Sequence, residues 1–244
     1  MLRRISQEIV CKAAVQITRS PDHPIAWVNT TAEVAHLSAT ISLMVRDNLS
    51  GFVLAGGKST RMGRDKAALA LHGRTLLETS LAALRDVARQ VFILGSPQLY
   101  DRYGTAIPDI FPGCGPLGGI HAALSHSATQ FNLIVAVDTP FVSSKFLDYL
   151  AGRALNSSAL VTLPEIGDYL EPVCAVYSRD FLAIAEQALQ RGDHKITPLL
   201  PQRQTLVIQE AELKKFAFTA EMFENLNTPE DLERARRRTR GESE

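Results

Sequence analysis

The sequence predicts an α/β protein with a mainly parallel sheet covered by helices on both faces. Short, almost wholly apolar runs such as Phe52-Val53-Leu54-Ala55, Val91-Phe92-Ile93-Leu94 and Leu133-Ile134-Val135-Ala136-Val137 recur along the chain. A strand apolar on both sides is buried on both faces, as in sheets sandwiched between helices. Between these runs lie segments with helical spacing, and strand–helix alternation builds a layered, mostly parallel sheet. The first run also stops abruptly at Gly56-Gly57, as a buried strand does on entering a glycine loop.

The elements follow in order. Ser50 to Ala55 forms the first strand, and Arg74 to Arg89 a helix with Leu77, Leu81, Leu84 and Ala88 on one face. Val91 to Leu94 is the second strand, a helix begins near Leu117, and Phe131 to Val137 is a strand ending at Asp138-Thr139-Pro140. Strands Ala159 to Leu163 and Pro172 to Tyr177 come next, then a helix over Arg179 to Gln190. The last helix opens at Asn227-Thr228-Pro229-Glu230-Asp231, where Thr228 caps, Pro229 fits the first turn and Asp231 completes a capping box. No internal repeat or low-complexity tract interrupts this order. In open α/β sheets ligands sit beyond the carboxyl ends of the strands, which directs attention to the loops at Gly56 and Asp138.

A chain of 244 residues, 45% of them hydrophobic, buries one substantial core. The 26 basic side chains are matched by 26 acidic ones, so nucleic acid is not an expected partner. Three scattered cysteines, Cys11, Cys114 and Cys174, suit a reducing compartment and read as small buried hydrophobes. No run approaches the ~20 apolar residues of a membrane span, so a soluble, cytoplasmic protein is expected. Residues 1–48 read as an extension, either poorly ordered or upstream of a start at Met44, and residues 49–240 as the domain. Charges at Glu8 and Lys12 interrupt the early apolar run, which argues against a signal peptide.

The strongest signal is Leu54-Ala55-Gly56-Gly57-Lys58-Ser59-Thr60-Arg61-Met62-Gly63-Arg64-Asp65-Lys66. Small residues let backbone N–H groups approach phosphate oxygens. Lys58, Arg61, Arg64 and Lys66 add positive charge for a triphosphate. A Walker A loop is excluded, because Phe52 stands where its first glycine is required. No G-x-G-x-x-G dinucleotide fingerprint follows the strand either.

This segment resembles the L-A-G-G-x-S-x-R-M-G-x-D-K signature of the molybdenum cofactor guanylyltransferases and their cytidylyl relatives, with every specified position present. Three further elements are similar to that family's: Pro108-Asp109 before the turn Gly113-Cys114-Gly115-Pro116, then Asp138-Thr139-Pro140, and Asn225-Leu226-Asn227-Thr228-Pro229-Glu230. The resemblance covers about Ser50 to Arg237. It implies a Rossmann-like, GT-A-like nucleotidyltransferase domain, a three-layer sandwich. It also implies transfer of GMP from GTP to the terminal phosphate of Mo-molybdopterin, with release of pyrophosphate.

The resemblance assigns nucleotide binding to Leu54, Ala55, Gly56, Gly57, Lys66, Asp109 and Asp138, and catalysis to Arg61, Lys66 and Asp138. It assigns Mg²⁺ to Asp138 and Asn227, the latter favoured over Asn225. A carboxylate ending a buried strand suits this hard ion, although such an aspartate is by itself often a turn former. Implied partners are GTP, the molybdopterin acceptor and, transiently, proteins that deliver or receive the cofactor; neither nucleic acid nor a membrane is expected. Where some members place an asparagine near the nucleotide, this chain has Ile93-Leu94-Gly95-Ser96. Asp168, Glu171, Pro172 and His194 fall in the acceptor region without assigned roles, and His121 and His126 read as packing or surface residues. A CTP-using or sugar-phosphate enzyme of the same superfamily, and a non-catalytic nucleotide or cofactor carrier, remain as alternatives.

Overall fold

The structure, a computed structural model, describes residues 47–56 and 65–239. The expectations for the N-terminal extension, Cys11, Gly57 and Arg61 lie outside those residues. One compact unit begins at Asn48.

In chain order its elements start with β1 (Leu49–Leu54), the small hairpin β2 (Ala70–Leu71) and β3 (Arg74–Thr75), α1 (Leu76–Arg85) and β4 (Gln90–Leu94). Next come α2 (Pro97–Tyr100), β5 (Ala106–Ile107), α3 (Gly115–His126), β6 (Phe131–Ala136) and α4 (Ser144–Leu155). The remainder comprises β7 (Val161–Ile166), β8 (Tyr169–Leu170), β9 (Cys174–Ser178), α5 (Leu182–Gln190), β10 (Thr205–Gln209), α6 (Glu210–Lys215) and α7 (Pro229–Thr239).

The main sheet has the order β10-β7-β9-β6-β1-β4-β5, with β8 beside β7. Side chains alternate along its strands, and the core divides accordingly. Leu49 and Val53 of β1 and Leu133 and Val135 of β6 pack with α1, α4, α6 and α7, through Leu84, Phe146, Leu213 and Leu232 among others. Phe52 and Ile134 point to the opposite face and pack with α3 and α5, through Ile120 and Ala185. This is the expected three-layer sandwich.

Strand β1 is parallel to both β4 and β6, but β9 is antiparallel to β6 and to β7. The cause is local. Beyond β7 the chain turns at Gly167, whose φ of 59° favours glycine, and returns at once as β8 against β7. A parallel crossover needs roughly a dozen residues or more, and this hairpin is too short for one.

Helix α1 is shorter than the spacing of its apolar residues indicates. Thr75 caps it in a reciprocal box with Glu78. It ends at Arg85, although the Ala88 N–H still donates to the Leu84 carbonyl at 2.8 Å and Ala88 stays in the core. Eight elements go beyond the expected set: β2, β3, α2, β5, α4, β8, β10 and α6. Helix α4 carries a full stripe, Phe146, Leu147, Leu150, Ala151 and Ala154, and a Ser143 cap on the Phe146 N–H.

The path from β1 through α1 to β4 moves one way across the sheet, whereas that from β6 through α4 to β7 moves the other. The carboxyl ends of β1 and β6 therefore flank a topological switch point. Their pairing continues one step past the strands, where the Val137 N–H donates to the Leu54 carbonyl at 3.1 Å.

Candidate active site

At the end of β1 the N–H groups of Ala55 and Gly56 both donate to the Leu94 carbonyl, at 3.0 and 2.9 Å. The Gly56 amide, expected to cradle phosphate, is thus engaged with the end of β4. On the far side of residues 57–64, Asp65 accepts the Ala67 N–H at 3.0 Å and caps the 3-10 turn Lys66–Ala68. The hydroxyl of buried Tyr100 lies 3.0 and 3.1 Å from the Asp65 carboxylate oxygens and 3.3 Å from the Ala55 carbonyl. One residue thereby ties the chain before that segment to the chain after it. Burial, with the charge of Asp65, pushes the Tyr100 hydroxyl far above its ordinary pKa, so it stays protonated and can donate.

Lys66 leaves this turn and donates to Asp138 Oδ2 at 2.9 Å and to Asn227 Oδ1 at 2.6 Å. Residues 72 and 161 positions apart from it in sequence meet here because the backbone brings them together. Thr139 Oγ1 donates to the Ala136 carbonyl at 2.9 Å, tightening the turn after β6. The Leu226 N–H donates to the Asp138 carbonyl at 2.8 Å and draws the C-terminal segment onto that turn. Asp231 then accepts the N–H groups of Asn227 and Thr228 at 3.0 and 2.9 Å, while Thr228 Oγ1 accepts the Asp231 N–H at 3.1 Å. The expected capping box is present, and it also orients Asn227. Asn225 is exposed.

Asp109 lies between β5 and α3. Burial raises its carboxyl pKa, and among the described residues no hydrogen bond or ion pair links it to the lysine cluster. Gly118, in the first turns of α3, faces this loop so closely that a β-carbon there would stand 2.9 Å from the Phe111 carbonyl oxygen and 4.0 Å from Asp109 Oδ2. Leu54 packs against the same helix, its Cδ1 2.4 Å from where a β-carbon on Gly119 would lie.

Glu171 joins the site from the other half of the sheet. The β6–β9 pairing extends to the Ala136 N–H, which donates to the Val173 carbonyl at 2.9 Å, and Glu171 lies just beyond. Burial and the neighbouring charge of Asp138 raise its carboxyl pKa. Asp168 and His194 are exposed and Pro172 is partly buried. At the departure after β4, Ser96 Oγ donates to Gln98 Oε1 at 2.6 Å.

Two histidines and two cysteines lie in or beside packed positions of the core. His121 is buried with its ring edge against Phe111, and burial lowers its pKa; His126 is exposed and packs on Phe92. Cys174 is buried, with its thiol pKa pushed far up by burial and by Glu171, and is inert as a nucleophile. Cys114, by contrast, is only partly buried, at the N-cap of α3.

Tyr100 and the cap on Lys66's turn were not legible in the sequence, since nothing local to Tyr100 announces a partner 35 residues away. Among the described residues no group of three or more His, Cys, Asp or Glu side chains could hold a metal. Two oxygens, Asp138 Oδ2 and Asn227 Oδ1, do converge on one cationic nitrogen. Hard oxygen donors, few in number, suit Mg²⁺, which completes its shell with water and substrate phosphates.

A doubly wound sheet thus presents a lysine, an aspartate and an amide at its switch point, where such sheets bind ligands, and the family match makes the protein a nucleotidyltransferase. Residues 51–206 match the MobA-like NTP transferase domain, and the chain belongs to that family. It is 34% identical over 189 residues to a probable molybdenum cofactor guanylyltransferase from Pelotomaculum thermopropionicum, covering 77% of this chain and 91% of that protein. It is 35% identical over 196 residues to a molybdenum cofactor guanylyltransferase from Syntrophotalea carbinolica, covering 79% and 92%. The crystal structure of molybdopterin-guanine dinucleotide biosynthesis protein A from Archaeoglobus fulgidus superposes with a TM-score of 0.70 at 30% identity, covering 79% of this chain and 99% of that one. Among the described residues no helix is long and apolar enough to cross a membrane.

Proposed function

We propose that the protein transfers GMP from GTP to the terminal phosphate of Mo-molybdopterin and releases pyrophosphate, acting through residues 49–240. The convergence of Lys66, Asp138 and Asn227 carries this reading, and the relatives' names supply the substrates. In the reaction an acceptor phosphate oxygen bonds to the α-phosphorus of GTP as the bond from that phosphorus to the β-phosphate oxygen breaks. A phosphate monoester is already an anionic nucleophile, so positioning and charge neutralisation carry the rate. Asp138 and Asn227 would hold Mg²⁺, and bound there it would supply charge neutralisation for the phosphoryl transfer.

Lys66 and Arg61 neutralise the β- and γ-phosphates. Leu54 and Ala55 line the nucleoside, Gly57 offers its amide to phosphate, and Asp109 orients the nucleoside. The Gly56 amide, bonded to Leu94, supports the loop rather than the ligand.

One consequence concerns Gly118. Alanine there must displace the Phe111 carbonyl, 2.9 Å from the new β-carbon, and with it the loop bearing Asp109. Helix propensity favours the alanine by roughly 0.5–1 kcal/mol, but the atom to be displaced belongs to the backbone, so a net loss of stability accompanies the shift. The KM for GTP is expected to rise on the order of tenfold, read from initial rates over a GTP titration. An unchanged KM would separate Asp109 from nucleotide binding.

The defining measurement is pyrophosphate release by the purified protein with Mg²⁺ and each of GTP, CTP, ATP and UTP, with and without molybdopterin cofactor. Acceptor-dependent release with GTP alone is the expected result. Release with CTP instead would assign the cytidylyl reaction. Binding without any release would make the protein a carrier.

A further inference from the structure

We propose that Lys66 and the divalent metal compete for the same two oxygens, so that the metal enters as a triphosphate draws the lysine away. The inference rests on the proposed reading of Asp138 and Asn227 as the metal's ligands.

The Lys66 ammonium is within 2.9 Å of Asp138 Oδ2 and 2.6 Å of Asn227 Oδ1. The backbone that carries each oxygen is held in place. Asp138 is pinned through its carbonyl by the Leu226 N–H, and Asn227 through its own N–H by Asp231. The side chains of Lys66 and Asp138 are only 18% and 21% exposed, so water screens charge weakly between them. A doubly charged ion on these oxygens would sit within a few ångströms of the ammonium, where repulsion exceeds thermal energy many-fold.

The lysine is the partner able to move, because its charge rides on a flexible four-carbon stem. Its turn is held in place by Asp65 and Tyr100, so the ammonium can swing without the backbone shifting. A triphosphate offers it denser negative charge than Asp138 does. Triphosphate and metal binding are then coupled in both directions, as linkage requires.

The test is Mn²⁺ binding to the full chain without nucleotide, followed by electron paramagnetic resonance of the free ion. Lys66→Met is expected to bind Mn²⁺ at least about tenfold more tightly than the parent, because a built-in competitor has been removed. Lys66→Ala repeats the measurement with a shorter side chain, and Lys66→Arg, which keeps the charge, should restore weak binding. Asp138→Asn should abolish binding in both parent and Lys66→Met backgrounds. Unchanged or weaker Mn²⁺ binding in Lys66→Met and Lys66→Ala, with Asp138→Asn still abolishing it, would overturn the competition and leave the metal site standing. Binding that survives Asp138→Asn in both backgrounds would remove the metal from these oxygens and overturn both readings.

Discussion

Alanine at position 138 is expected to lower turnover by roughly 10²-fold or more, the scale seen when one charge-stabilising group is removed from a preorganised site. Asp138 anchors the site twice over. Its side chain receives Lys66 at 2.9 Å, while its carbonyl receives the Leu226 N–H at 2.8 Å. The substitution removes the first contact and keeps the second, so the path of the backbone should persist. Pyrophosphate release at saturating GTP and acceptor gives kcat, and circular dichroism with a thermal melt reports the fold. Asp138→Asn keeps the size of the side chain and should lose nearly as much, which would place the effect in charge rather than in a cavity. Near-normal turnover in a folded Asp138→Ala protein would remove this residue from the mechanism.

The second large effect is on stability. Phe146 of α4 is fully buried, and its ring meets Phe218 and Phe223 edge to face, at 5.3 and 5.2 Å between centroids. Phe146→Ala is expected to cost about 3–5 kcal/mol through lost burial and the cavity left behind. At about 2–4 °C per kcal/mol for a domain of this size, the melting temperature should fall by about 6–20 °C. The effect reaches the site as well, because Phe223 precedes the segment that carries Leu226 and Asn227 to Asp138. A loss under about 1 kcal/mol in a denaturant titration would mean that the neighbouring rings close the space.

The parts of the fold that could be read from sequence are those with local signals. Strands β1, β4 and β6 are apolar on both faces, and the capping residues Thr228 and Asp231 stand three apart, so each announces itself within a few positions. The loops at Gly56 and Asp138 were also legible, since strand ends of a parallel sheet share one edge. Contacts that depend on the register between distant strands were not. The antiparallel course of β9 follows from a tight turn at Gly167, and the engagement of the Gly56 amide from where the β4 backbone ends. Lys66, Asp138 and Asn227 could each be picked out singly from the signatures around them. That one ammonium bridges the other two is a fact of tertiary structure.

The reversed strand has one more consequence. Because β9 runs against its neighbours, it presents its beginning, not its end, at the edge where Asp138 lies. The hairpin leading into it, from Gly167 to Val173, delivers Glu171 beside Asp138, while its Leu170 and Val173 pack on the core shared with α3 and α5. Loops accept changes of length and composition more readily than the elements they join. A change in the length of this hairpin would therefore alter what stands beside Asp138 while leaving the parallel pairing of β1 with β4 and β6 in place.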